Sequence, residues 1–491
     1  MKIISAAFGL ANAFAKPEAD FAVAIQANRI IATGARYDLR ARYPQAAHEH
    51  FSNALMLPTF VNSHDHGRGL GTASLGIEDD VLENWLGSLA TQPNIDPYLA
   101  AAYDGARLLR SGVTATAHSH NPRHWSAQLA ESHATLRGYH DAGIRVAFHP
   151  VIVDQNRLIY AISKGEEAAY IAALPTIMQA DAQALTESPL SHDEYFEMCE
   201  ALFDKYHDAA NHTAHIQVSP AGGQWCSDAL IVRAADWAKA HHTRVQMHLL
   251  ETHRQRGYAL RKWGKGFVRH LDEIGVLGPW LTLAHMVWVE SNDLALLAER
   301  GVAIAHNPSS NVRLRSGIAP LTQMVEAGIT LGIGLDGHGL DDDQEYWREL
   351  RSAWSLANMR ANTPTSSNPS IISLNANHIL HMGTAGGAAA TFGRTAGLGV
   401  LADDGLADLV ILDLDFSVLD FVAQPDALAP ACLHLATRQQ VRHVLCNGTW
   451  VVRDGHCQGV DEAEIFREIR ARVRAAYSLR LDPFVVKAPT S

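Results

Sequence analysis

The chain has 491 residues, 47% hydrophobic and 19% charged, a composition that supports a large buried core and excludes a disordered, collagenous or coiled-coil protein. Lys and Arg total 40 against 52 Asp and Glu, giving a formal net charge of -12, and no basic tract offsets it, so nucleic acid is excluded as a partner. Five widely spaced cysteines without a CxxC pair argue for a reducing, cytoplasmic setting, while 27 histidines direct attention to metal or proton chemistry.

The opening MKIISAAFGLANAFAK reads as a first strand, with a short signal peptide ending at Ala13-Phe14-Ala15 as the alternative. No run of 18 apolar residues follows, so no transmembrane helix and no membrane partner are expected. FAVAIQANRIIATG and NALMLPTFVNSH have the texture of short strands, and that texture returns late in LADLVILDLD and in VRHVLCNGTWVVRDG with its Asn447-Gly448 turn. The two chain ends, residues 1–57 and 394–491, are therefore expected to form one small β domain with a terminal helix, interrupted by residues 58–393.

Within 58–393, apolar strand-length runs alternate with amphipathic helix-length segments: ALMLPTFVNS, VTATAHS, IRVAFHPVIV, HIQVSPA, RVQMHLL, LTLAHMV, VAIAHN and TLGIGLD. Strands this apolar are buried on both faces, and eight such units predict a (β/α)8 barrel. Chemistry in a barrel sits at the C-terminal strand ends, so the residues that end these runs are the informative ones. The first run ends in His64-Asp65-His66, whose histidines share a strand face. The fifth supplies His248 and Glu251, the sixth His285 and the eighth Asp336. A lone histidine on an apolar strand is ordinarily a satisfied core residue. Two inward histidines on one strand, joined by His248 and Asp336, make instead a ligand set for one divalent metal, zinc or, alternatively, ferrous iron. Glu251 is then placed to move protons, and His285 to polarise the attacking water or developing charge.

LPTFVNSHDH, GIEDDVLENWL, LLRSGVTAT, MHLLETHRQ, LAHMVWV, AHNPSSNVRLRSGIAPL, GIGLDG and MGTAGGAAATFGR together resemble the amidohydrolase superfamily, in its cytosine-deaminase-like, chlorohydrolase and guanine-deaminase branch. The resemblance implies a barrel with a small β-sandwich built from both chain ends, and usually a homodimer. It also implies His64, His66, His248 and Asp336 as ligands, Glu251 as proton shuttle, His285 against the catalytic water and Asp336 as acceptor of a water proton. Some branches bridge two metals through a carboxylated lysine on the fourth strand; HIQVSPAGGQWCSD has no Lys, which favours a mononuclear centre.

Thr59 and Leu335 depart from the family pattern beside the ligands, and His338 to Asp343 replace its usual small loop. His338 and Asp341 are candidate substrate contacts, although Asp341 to Asp343 equally suit the cap of the following helix. Trp85, His118, His120, Gln155 and Gln224 are further candidate substrate contacts, with Asn156 and Trp225 beside them. The expected reaction is hydrolytic deamination of an amino-substituted N-heterocycle of purine, pyrimidine, pterin or triazine type by metal-activated water, with release of ammonia. Cyclic-amide ring opening or dechlorination at the same centre is the alternative, and a non-catalytic metal-bearing protein the third reading.

Overall fold

The apolar runs become the strands of a closed parallel barrel in the computed structural model, which describes residues 1–337, 343–361, 373–414 and 424–481. They are β1 (Phe60–Asp65), β2 (Val113–His120), β3 (Arg145–Ile152), β4 in two pieces (Ala214–Ile216 and Ser219–Pro220), β5 (Val245–Leu249), β6 (Leu281–His285), β7 (Ala303–His306) and β8 (Thr330–Ile333). Neighbours pair in parallel from β1 to β4 and from β5 to β8. The ring closes through Ile333 opposite Asn62, and through the bridges Val218 to Val245 and Gly222 to His248. Every residue of β2, β3, β5, β6 and β7 is buried, which explains their near-continuous apolar character.

The helices between them pack outside the strands. In Pro97–Arg110, Asp96 caps the N-terminus by accepting from the amides of Tyr98 and Leu99, and Pro97 fills the first helical position, where no amide partner is needed. Ala385–Phe392 lies directly on the barrel wall: a Cβ on Gly386 would meet the Leu331 carbonyl oxygen at 2.5 Å, so the small residues of TAGGAAA permit this approach.

The chain ends meet as expected. Ala47–Pro58 is flanked in one sheet by Lys2–Gly9 on one side and by Leu409–Asp413 on the other. Phe21–Gln26 and Arg29–Ala35 extend the first edge, and Val441–Cys446, Thr449–Arg453 and His456–Cys457 the second, while Glu18–Ala19 pairs with Lys2–Gly9 to complete nine strands. The opening residues of the chain are thus a central strand. Apolar residues occupy both faces, with Phe21, Val23 and Ile25 on one and Ala22 and Ala24 on the other. A buried Arg145–Asp408 pair, with Nη2 at 2.8 Å from Oδ1 and Nε at 2.9 Å from Oδ2, ties β3 to this sheet. The terminal helix Glu462–Leu481 returns to the barrel, where Ile465 and Ile469 pack with Leu99, Ala102 and Tyr103. No described helix is long and apolar enough to cross a membrane.

His338 and Asp341 lie outside the described residues. Asp343 is engaged by Arg107 and Arg438, and the following helix begins at Tyr346, so Asp343 serves an ion-pair cluster rather than the first turn.

Candidate active site

His64 and His66 leave the end of β1, His248 lies on β5, and Asp336 follows β8. Their ligand atoms all lie within 4.8 Å of one another, and this is the one such cluster among the described residues. Each histidine is held from behind. His64 Nδ1 is 2.6 Å from Gln246 Oε1, His66 Nδ1 is 2.9 Å from the Ser119 carbonyl oxygen, and His248 Nδ1 is 2.6 Å from the Ala221 carbonyl oxygen. An oxygen acceptor at each Nδ1 fixes the hydrogen there and leaves Nε2 as a lone pair. The Nε2 atoms of His66 and His248 then face each other at 3.4 Å, and both His64 Nε2 and His66 Nε2 stand 3.1 Å from Asp336 Oδ1.

Buried lone pairs converging on one another and on a carboxylate are unfavourable unless a cation lies between them, so these residues fit a divalent ion. Three nitrogens and one oxygen are a zinc-compatible set. Asp336 Oδ2 accepts from Ser310 Oγ at 2.5 Å.

Beyond the ligands, His285 Nδ1 is 2.9 Å from Asn311 Oδ1, which leaves Nε2 as a lone pair 3.8 Å from Glu251 Oε2 and 3.9 Å from Asp336 Oδ2. Burial lowers the His285 pKa to about 4, so the ring is neutral. Burial, reinforced by the charges of Asp336 and Glu83, raises the Glu251 carboxyl well above its ordinary value and favours its protonated form. The backbone is strained where these side chains turn inward: φ is +51° at Leu250, +74° at His285 and +61° at Asp336. Non-glycine residues in this region cost about 1–3 kcal/mol each and are characteristic of functional strand ends.

A cavity of about 710 Å³ opens above the cluster and is lined by His66, His248, Glu251, His285 and Asp336. Trp85, His118, His120 and Trp225 line it as well. Gln155, Asn156 and Gln224 are placed outside its lining: Gln155 Nε2 donates to the Cys226 carbonyl oxygen, Asn156 Nδ2 donates to the Gln224 carbonyl oxygen, and Gln224 is fully buried. Thr59 and Leu335 are buried, and Leu335 holds the ligand turn by donating its amide to Asn62 Oδ1.

Several supporting residues escaped the sequence reading. Gln246 had a usable signal, because it precedes His248 by two in VQMHLL and so shares its inward face. Asn311 and Ser310 had none, since they reach His285 and Asp336 from the Pro308–Arg313 helix that follows β7.

Comparison with known proteins agrees with this geometry. The chain is 28% identical over 460 residues to the 5-methylthioadenosine/S-adenosylhomocysteine deaminase of Syntrophobacter fumaroxidans, covering 91% of this chain and 92% of that one. Among solved structures, an adenosine deaminase from Xanthomonas campestris with bound zinc superposes with a TM-score of 0.77 at 26% identity, covering 96% and 98% of the two chains. Atrazine chlorohydrolase from Arthrobacter aurescens, also with zinc, gives a TM-score of 0.77 at 23% identity, covering 96% and 100%, and shares the fold. The Amidohydrolase family profile matches residues 55–451, well over half of the sequence, and the chain belongs to that family, as an enzyme with a site for one divalent metal.

Proposed function

We propose that the chain catalyses hydrolytic deamination of an amino-substituted N-heterocycle. The observation that carries this reading is Glu251, a buried carboxyl on the cavity wall whose pKa burial raises, beside His285 at 3.8 Å and the four-residue ligand cluster. His64, His66, His248 and Asp336 would hold the ion, which when bound supplies Lewis-acid activation of a water molecule. His285 Nε2, with its lone pair toward the cavity, accepts a hydrogen bond from that water and orients it. Asp336 takes one proton from the water as its oxygen adds to the amine-bearing carbon. Glu251 gives its own proton to the neighbouring ring nitrogen and recovers one from the new hydroxyl as the carbonyl forms. The proton held by Asp336 leaves with the amine as ammonia, and both carboxyl groups return to their starting states.

The cavity volume suits a ligand up to nucleoside size. The names of the deaminase relatives support placing aminopurine nucleosides first among substrates to test. Five free cysteines support residence in the cytoplasm, and the passage from Ala47–Pro58 straight into β1 supports a barrel beginning near residue 58. The homodimer implied by the resemblance is open to sedimentation.

The test is ammonia release by metal-loaded protein on aminopurines, their nucleosides, aminopyrimidines, pterins and aminotriazines, with Glu251→Gln as the blank. Release abolished in the blank supports the proposal. Chloride release, or addition of one water without ammonia, overturns it in favour of dechlorination or ring opening.

A further inference from the structure

Two histidines on the cavity wall belong to neither the ligand cluster nor the proton-transfer pair. His118 and His120 end β2 and are both buried, and burial drives both below the ordinary histidine pKa, His120 to about 3, so each ring is neutral and carries a single hydrogen. Behind them runs an unbroken hydrogen-bonded chain. His120 Nδ1 is 3.4 Å from His118 Nε2, His118 Nδ1 is 2.8 Å from the Tyr139 hydroxyl, and that hydroxyl is 3.2 Å from Asp104 Oδ2. Gln344 Nε2 donates to the other oxygen, Asp104 Oδ1. The cavity end of the chain, His120 Nε2, is buried with no hydrogen-bond partner.

A chain of neutral groups that each hold one hydrogen has only two self-consistent states. With a proton on Asp104 Oδ2, the carboxyl donates to Tyr139, Tyr139 to His118 Nδ1, and His118 Nε2–H to His120 Nδ1, so His120 Nε2 bears a hydrogen and donates into the cavity. With Asp104 ionised every bond reverses: Tyr139 donates to Asp104, His118 Nδ1–H to Tyr139, His120 Nδ1–H to His118, and His120 Nε2 becomes an acceptor. The states differ by one proton, lost from Asp104 to solvent.

We infer that His120 is a specificity-determining residue whose hydrogen-bond polarity toward the substrate is set by the proton on Asp104, relayed through Tyr139 and His118 as positioning residues. The inference rests on the deaminase reading only for the identity of what enters the cavity. Burial and the nearby charge of Asp65 raise the Asp104 carboxyl to about 8, while Gln344, Arg107 and Tyr139 pull the other way. Arg107 lies on Asp104's own helix and is shared with Asp343, Tyr139 comes from the Gln128–Ala142 helix, and Asp65 from β1. Tyr139 itself is held well above its ordinary range by burial, so it stays a hydroxyl throughout. Near neutrality, then, Asp104 is protonated and His120 Nε2 donates. The Glu131 carboxylate, 3.8 Å from that nitrogen, favours the same state. The class of ligand selected is a heterocycle that offers His120 an acceptor, either a carbonyl oxygen or a pyridine-type ring nitrogen.

Nitrogen-15 NMR of histidine-labelled protein reads the tautomer directly and needs no substrate; the His120 signals are assigned by their loss in His120→Gln. Between pH 6 and 10 the wild type is expected to pass from Nε2–H to Nδ1–H with a midpoint near that of Asp104. Asp104→Asn, whose amide can donate to Tyr139 while its oxygen accepts from Gln344, should hold Nε2–H throughout, and Tyr139→Phe should abolish the transition by cutting the chain. A tautomer that ignores pH in the wild type, or that switches equally in both variants, overturns the relay. On any heterocycle found to be deaminated, KM should rise roughly tenfold above the transition in the wild type and stay level in Asp104→Asn. A KM unresponsive to pH while the tautomer switches would overturn the role in specificity. Failure of the deaminase reading would appear separately, as absence of ammonia with the NMR transition intact.

Discussion

Gln246 supports the ion site without touching it. Its Oε1 accepts from His64 Nδ1 at 2.6 Å, and its Nε2 donates to the Ser63 carbonyl oxygen at 2.9 Å, both within the barrel. Gln246→Leu keeps the volume and removes both bonds. Each orphaned buried group costs about 1 kcal/mol or more, so the metal-free protein should lose roughly 2 kcal/mol of stability. With no acceptor at Nδ1, His64 is free to place its hydrogen on Nε2, and ion affinity should fall about 10–100-fold, as is usual when a ligand histidine loses its outer partner. Chelator competition on folded protein, verified by circular dichroism, measures this. Gln246→Glu keeps the acceptor at His64 Nδ1 and loses the bond to Ser63, so it should bind the ion at least as well as the wild type. Equal ion affinity in the wild type and Gln246→Leu would refute the argument that second-layer acceptors fix the ligand tautomers.

Other expectations follow from the same contacts. Glu251→Gln should retain the ion while lowering kcat by two or more orders of magnitude, about the size of a general acid–base contribution, checked by metal analysis beside ammonia release. Arg145→Met strands a buried Asp408 carboxylate and should cost about 3–5 kcal/mol in urea unfolding; a loss below 1 kcal/mol would mean that water reaches Asp408. His212 is buried beside His215 and Phe392, and its pKa falls from 6.5 to about 4. Between those values the unfolded chain binds a proton that the folded chain refuses, so stability falls as pH drops through that window. Thermal melts of His212→Gln should show a shallower acid slope. Tyr477 donates to the Leu75 carbonyl oxygen at 2.6 Å, and Val473 packs with Leu75, Leu82 and Trp85, so Tyr477→Phe should raise KM a few-fold by loosening the Trp85 wall, with kcat little changed.

Much of this site is legible in the sequence because barrel chemistry concentrates at strand ends. His64, His66, His248, His285 and Asp336 each close an apolar run, and a run that ends in a polar residue is a local pattern. What could not be read is what arrives from elsewhere in the chain. Asp104, within the Pro97–Arg110 helix, looks like an ordinary polar position until Tyr139 and Gln344 enclose it. Gln155 misleads for the converse reason: a polar residue after a strand suggests a cavity contact, yet its amide donates to the backbone carbonyl oxygens of Gln224 and Cys226. The left-handed turns at Leu250, His285 and Asp336 are also silent, because only the tertiary environment holds non-glycine residues in that conformation.

The Ala47–Pro58 strand sits between a partner made before it and one made much later, and runs on into β1 with two of the ligands. During synthesis at ~5–20 residues per second, Leu409 emerges roughly 350 residues, or about 20–70 s, after Pro58. Throughout that interval the sheet presents an open edge, able to template pairing with other chains. The interrupted end domain is therefore expected to act as a timer: a sheet that contributes no ligand sets how much nascent chain survives to acquire an ion, and soluble yield should respond to chaperones and translation rate more than to the stability of the finished barrel.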